Sequence, residues 1–154
     1  MPKRYDQACP VAKSLEVVGD RWTLLVVRDL LRGTKRFQDL LDSLTGIAPN
    51  ILSDRLKWME EQGLVSRRLY SDRPPRAEYT LTERGRELGT VVGALAQWGT
   101  RHVYRRARLV HATCGHEVRL RYECPDCGGQ VKGSEVTVTR GARPKPTSPS
   151  PLPS

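Results

Sequence analysis

"GIAPNILSDRLKWMEEQG", Gly46 to Gly63, is the stretch that decides the fold. Gly46 is free to take the positive φ of a tight turn. Pro49 suits the first position of a helix, and Gly63 ends it. Leu52, Leu56 and Met59 share one stripe of that helix, while Asn50, Ser53, Asp54 and Lys57 form the opposite stripe, all able to hydrogen bond. Just upstream, "RFQDLLDSL" sets Phe37, Leu40, Leu41 and Leu44 at i, i+3, i+4 and i+7, the spacing of an amphipathic helix. Two helices joined by a glycine turn, the second with a polar outer stripe, make a helix-turn-helix.

Further toward the N-terminus, "CPVAKSLEVVG" reads as a short helix with Pro10 in its first turn and Gly19 past its end. In "DRWTLLVVRDLLRG", Asp20 is a capping residue. Trp22, Leu25, Val26 and Leu30 make one apolar stripe, and Leu24, Val27 and Leu31 cover a second side, which predicts a central, buried helix. On the other flank, "LVSRRLY" and "AEYTL" read as strands around "SDRPPR". Proline cannot donate to a ladder, so Pro74 and Pro75 are expected in the loop. Thr80 or Thr82 then caps a long helix, with Glu83 completing a capping box if Thr80 is the cap. Leu88, Val91, Val92, Leu95, Trp98 and His102 fall at helical spacing, and the helix is expected to reach about Leu109. The fold class is mainly α with a small β wing: a winged helix-turn-helix with a long C-terminal dimerisation helix and a small Cys/His-rich C-terminal appendage. Residues 1–8 read as a loose arm, 9–109 as the main domain, 110–140 as the Cys/His segment and 141–154 as a disordered Pro/Ser-rich tail. "VKGSEVTV" reads as one more strand.

Charge speaks about partners. The 154 residues carry 26 Lys+Arg against 17 Asp+Glu, a net +9, which favours nucleic acid or an acidic membrane surface as partner. No apolar run approaches the roughly 20 residues of a membrane span, and no signal-peptide core is visible, so a cytoplasmic protein is expected. No phosphate-binding glycine loop, G-x-S-x-G turn or paired carboxylates point to an enzyme. Arg67, Arg68, Arg73 and Arg76 surround the stiff Pro-Pro tip with Asp72 as the one acid, an arrangement suited to a minor groove or to phosphates. Asn50, Ser53 and Lys57 are the candidate groove-facing residues, since Asn pairs with adenine and Lys with guanine or phosphate. Asp54 repels phosphate and is expected to find a partner within the protein. Lys35 and Arg36 are candidates for backbone phosphates. Trp22, Phe37, Trp58 and Trp98 read as packing, with Trp58 off the inner stripe and directed at another element. A protein-interaction module or a non-specific DNA-binding protein would use the same fold, but the arginine-rich wing argues against the first.

"CPVAKSLEVVGDRWTLLVVRDLLRGTKRFQDL", "GIAPNILSDRLKWMEEQGLVSR", "YSDRPPRAEYTLTERGREL" and "ALAQWG" together resemble the HxlR-type bacterial winged-helix transcriptional regulators, relatives of the MarR group. The resemblance spans residues 9 to about 103. It departs at Ala48, where the family usually has Ser or Thr before the recognition helix, so that cap is expected to be weaker. The resemblance implies a homodimeric DNA-binding repressor or activator on a pseudo-palindromic double-stranded operator, with terminal helices pairing the subunits through Leu88, Val92, Leu95 and Trp98. It also implies an effector: an oxidant, an electrophile or a small apolar molecule. Cys9 precedes Pro10 at a helix N-terminus with Lys3, Arg4 and Lys13 nearby in sequence, a setting that favours thiolate. A cysteine at this place senses redox state or electrophiles in some members; the alternative is a small buried side chain.

The C-terminal segment offers "HATC" and "CPDCG". His111, Cys114, Cys124 and Cys127 have the spacing of a Cys3His tetrahedron, which would hold one structural zinc ion per chain. His116 is a poorer fourth ligand because a single residue separates it from Cys114. Free thiols, or a redox pair of Cys124 and Cys127, are the competing readings.

Overall fold

The computed structural model describes residues 4–72 and 74–139, the side chain of Asp72 excepted, in two compact units, Met1–Val118 and Arg119–Ser154. The expected Pro/Ser-rich tail and Arg73 lie outside the described residues.

The first unit begins with α1 (Pro10–Val18) and α2 (Thr23–Leu30). Asp20 acts as expected just ahead of α2: its carboxylate accepts the Trp22 N–H at 2.9 Å. The arm before α1 is tied down at Tyr5, whose N–H donates to the Glu16 carboxylate at 2.8 Å while Lys13 Nζ donates to its carbonyl at 3.0 Å. The Lys13 ammonium also bonds Glu16 and holds that carboxyl below its usual range. A two-residue strand, β1 (Lys35–Arg36), follows, then α3 (Phe37–Ser43) and α4 (Pro49–Glu61). β2 (Val65–Asp72) and β3 (Pro75–Leu81) form the wing and lead into α5 (Glu83–His102). The three strands make one antiparallel sheet in the order β1-β3-β2.

Both predicted stripes of the helix-turn-helix face inward: Leu40 and Leu44 of α3 and Leu52, Leu56 and Met59 of α4 are buried with Val26, Val27 and Leu30 of α2. Tyr79 and Leu81 of β3 close this core from the sheet.

Four local expectations change. Pro75 is the first residue of β3, paired with Asp72, rather than loop; the start of a strand is a position where a missing N–H is tolerated. β1 was not anticipated. The cap of α5 is Thr82, so the Thr80–Glu83 box does not form. α5 stops at His102, where the N–H groups of Val103 and Tyr104 both turn onto the Gly99 carbonyl at 2.8 and 2.7 Å. Arg101 and Arg105 would be like-charge i,i+4 neighbours in a longer helix, which opposes its extension.

At the end of the wing the chain ties itself. The Thr82 N–H donates to the Leu64 carbonyl at 3.0 Å, and Thr82 Oγ1 donates to the Gly63 carbonyl at 2.6 Å while accepting the Gly85 N–H at 3.1 Å. Gly85 is buried against this knot, and a Cβ there would stand 2.1 Å from the Leu64 carbonyl oxygen.

The first unit also holds an antiparallel bridge between Val110 and Glu117. The second unit is a hairpin, β4 (Tyr122–Cys124) with β5 (Gly129–Val131). In place of the expected strand after it comes a 3-10 turn, Gly133–Glu135, because the Glu135 carboxylate folds back to accept the Lys132 N–H at 2.6 Å. Among the described residues no helix is long and apolar enough to cross a membrane.

Substituting Gly85 with Ala should cost about 1–3 kcal/mol, the usual penalty for forcing atoms into a packed site. Thr82→Ala should cost about 0.5–2 kcal/mol, as for loss of a helix cap. Urea unfolding followed by circular dichroism reads both; a Gly85→Ala chain as stable as the parent would show that the close approach to Leu64 is not rigid.

Candidate nucleic-acid interface

α4 presents its polar stripe outward. Asn50, Ser53, Asp54 and Lys57 are all exposed and bond to none of the described residues, so Asp54 does not take the internal partner expected of it. Ala48 precedes the helix without a side-chain cap, and Pro49, with no N–H, fills its first position.

Two side chains on α4's flanks seat it on the preceding helices. Trp58 Nε1 donates to the Val17 carbonyl of α1 at 3.1 Å, which is the off-stripe contact its position predicted. Arg55, half-buried, pairs with Asp20 at 2.7 Å, so one carboxylate holds both the start of α2 and the recognition helix. α3 is seated by a third polar contact: Ser43 Oγ donates to Asp29 of α2, whose other carboxylate oxygen accepts Arg28 Nε at 2.9 Å. Asp29 is 7% exposed, among the few buried polar side chains of this unit. Sequence reasoning missed Arg55 and Asp29. The available signal for Asp29 was a carboxylate set among Val26, Val27 and Leu30 on the apolar side of a helix.

The register of the sheet sorts the basic residues. Residues directly opposite across neighbouring strands share a face. Arg36, Glu78 and Arg68 form one row, and Lys35, Tyr79 and Arg67 the next, on the other face. Tyr79 is buried, so Lys35 and Arg67 flank the edge of the core, whereas Arg36 and Arg68 stand on the outer face. Arg68 grips Glu78 through both Nε, at 2.7 Å, and a terminal guanidinium nitrogen. The Arg36 guanidinium lies 5.0 Å over the Tyr70 ring. Arg76 is exposed near the tip. The wing's arginines are therefore not one uniform cationic finger: Arg68 is held in an ion pair, and Arg36 is stacked.

Elsewhere, Cys9 is half-buried immediately before α1, where its carbonyl accepts the Lys13 N–H at 2.9 Å. On α5, Leu88 and Val92 pack against the core of their own chain, while Leu95 is 53% and Trp98 59% exposed. In the first unit His111 Nδ1 lies 3.2 Å from Cys114 Sγ. In the second, the Cys127 backbone N–H, the Cys127 thiol and the Asp126 N–H all bond the Cys124 sulfur and lower its pKa, while the same sulfur raises that of Cys127. Among the described residues no group of three or more His, Cys, Asp or Glu side chains is gathered for a metal.

A helix-turn-helix with a three-stranded basic wing and a polar outward face on its second helix is the structure of a winged-helix transcriptional regulator. The family model of the HxlR-like helix-turn-helix matches residues 17–107, and the chain belongs to that family. It is 41% identical over 135 residues to the HTH-type transcriptional regulator Rv3095 of Mycobacterium tuberculosis, with 85% of each chain covered. Among solved structures it is similar to the transcription factor PA1374 from Pseudomonas aeruginosa, at 40% identity and TM-score 0.67, over 86% of this chain and 92% of that one. It is also similar to the redox regulator HypR in its oxidised form, at 34% identity and TM-score 0.57, over 61% of this chain and 97% of that one.

Replacing Glu78 with Gln removes the carboxylate between Arg36 and Arg68. Affinity for random-sequence duplex DNA should rise, and the slope of log affinity against log salt should steepen by up to about 0.9, the share of one added phosphate contact. Fluorescence anisotropy across a salt series measures it; an unchanged slope would mean that Arg68 stands away from the phosphates.

Proposed function

We propose that the protein is a homodimeric, sequence-specific DNA-binding regulator. α4 enters the major groove of a pseudo-palindromic operator, wing arginines lie on the minor groove or phosphates, and affinity responds to oxidants or electrophiles through Cys9. The observation that carries this reading is the outward stripe of α4. Asn50, Ser53 and Lys57 are hydrogen-bonding side chains with no described protein partner, on a helix anchored along its opposite side. Asn offers the donor and acceptor that adenine matches, Ser suits a base or a phosphate, and Lys suits guanine or a phosphate. Net charge +9 supplies the long-range attraction. Asp54 on the same stripe either accepts from a cytosine amine or penalises wrong registers by repelling phosphate.

Dimerisation is supported by α5. Leu95 and Trp98, with Val91, leave an apolar strip in water on one helix, and a second copy of the same strip is its self-complementary cover. Leu88 and Val92 support the strip from beneath. Redox control is supported by Cys9, a half-buried thiol at a helix start, and by the likeness to HypR. A peroxide would transfer one oxygen to the Cys9 sulfur, leaving a sulfenic acid and water.

The test is anisotropy on the DNA upstream of the encoding gene against scrambled DNA. Specific binding should be at least about a thousandfold tighter than non-specific. Lys57→Ala should weaken binding to all sequences and reduce the salt slope by about 0.9. Asn50→Ala should lose about 1–3 kcal/mol, and only on the preferred operator. Trp98→Arg should yield a monomer by light scattering and a large loss of operator affinity. Cys9→Ser should make operator binding insensitive to peroxide; a serine variant as sensitive as the parent would remove Cys9 from the reading.

A further inference from the structure

The second unit poses a stability problem of its own. Of its described residues none is buried, and only Cys124, Gly129 and Val131 are half-buried. Tyr122, Val136 and Val138 are exposed. The segment nevertheless holds an ordered register, Tyr122 opposite Val131, Glu123 opposite Gln130 and Cys124 opposite Gly129, followed by a closed 3-10 turn. An isolated two-stranded hairpin is marginal in water, and a segment this small lacks the apolar area to hold itself. Something other than a core has to supply the cross-link.

The hairpin's own turn carries the means. Cys124 is the last residue of β4, and Cys127 follows three residues on, inside "CPDCGG". Pro125 stiffens the start of the turn, and Gly128, at φ +66, takes the left-handed conformation that brings the chain back. The Gly128 N–H closes on the Cys124 carbonyl at 2.9 Å. The N–H groups of Asp126 and Cys127 are directed at the Cys124 sulfur, and the Cys127 thiol reaches the same atom, so both sulfurs converge on one side of the turn. Backbone donors aimed at sulfur are the outer-shell support that a metal-bound thiolate needs, since it keeps its negative charge after binding.

We propose that Cys124 and Cys127 are the thiolate pair of a structural site for a borderline-soft divalent cation of zinc's kind, which cross-links the hairpin of the second unit. Binding replaces two S–H protons, released to solvent, with two metal–sulfur bonds and involves no change of oxidation state. Thiolate donors select such an ion over magnesium or calcium, which prefer oxygen. The site is structural in this proposal and takes no part in the groove-facing surface.

Cobalt(II) titration of the reduced, chelator-stripped full chain tests it. A thiolate-to-cobalt charge-transfer band should appear and be displaced by zinc, and magnesium should leave it unchanged. The double variant Cys124→Ser/Cys127→Ser should lose the band, with affinity reduced beyond the roughly 10–100-fold that loss of an outer-shell partner causes. Alkylation mapping of the unmutated chain gives a second readout that does not depend on the variant's folding: zinc should protect Cys124 and Cys127 from iodoacetamide and leave Cys9 reactive. No charge-transfer band in the parent, a band that survives in the double serine variant, or equal alkylation of all four cysteines with and without zinc would each overturn the proposal.

Discussion

The outward surface of the first unit depends on the hydrogen-bonded knot around Thr82. One threonine ties the turn after α4, the start of β2 and the first turn of α5 at a single point, through its N–H and its hydroxyl. Gly85 allows the helix to come close enough for this, because any side chain there would enter the Leu64 carbonyl. The recognition helix therefore ends, and the wing begins and ends, within a few ångströms of the same fixed atoms. That is how a two-part reading surface keeps its spacing although the wing tip itself has little packing.

Polar contacts supply the orientation that the apolar core leaves open. A core of Leu, Val and Met drives the helices together without direction. Three polar links then choose among the packings: Asp29 with Ser43, Asp20 with Arg55, and Trp58 with Val17. Two of them start from carboxylates near helix α2 and end on α3 and α4. A buried or half-buried carboxylate is tolerable only with its partners in place, so each link penalises a rotated helix more than it stabilises the native one.

The helices were legible because their stripes repeat. Phe37, Leu40, Leu41 and Leu44, or Leu52, Leu56 and Met59, carry enough period to fix both the helix and its buried side, and the polar stripe of α4 follows by subtraction. β1 was not legible, since two residues have no period; only its pairing with Tyr79 and Glu78 makes Lys35–Arg36 a strand. For the same reason the neutralised state of Arg68 was hidden. Its partner Glu78 lies across a strand, and that requires the register, which the bulge between Leu69 and Ser71 shifts near the tip. The end of α5 was misjudged because apolar spacing continues faintly through Val103 and Leu109, while the crowding of arginines decides against it.

The Trp58–Val17 bond also makes α1 a strut. The Val17 carbonyl belongs to the last turn of its helix and has no acceptor role within it, so the indole of the recognition helix satisfies it. Cys9 stands at the opposite end, before Pro10. Nine helical residues span about 13 Å and bend little. A tilt imposed at the thiol end is thus delivered, largely undamped, to the base of the groove-facing helix. The distance between chemistry and reading surface is bridged by one rigid rod and one hydrogen bond.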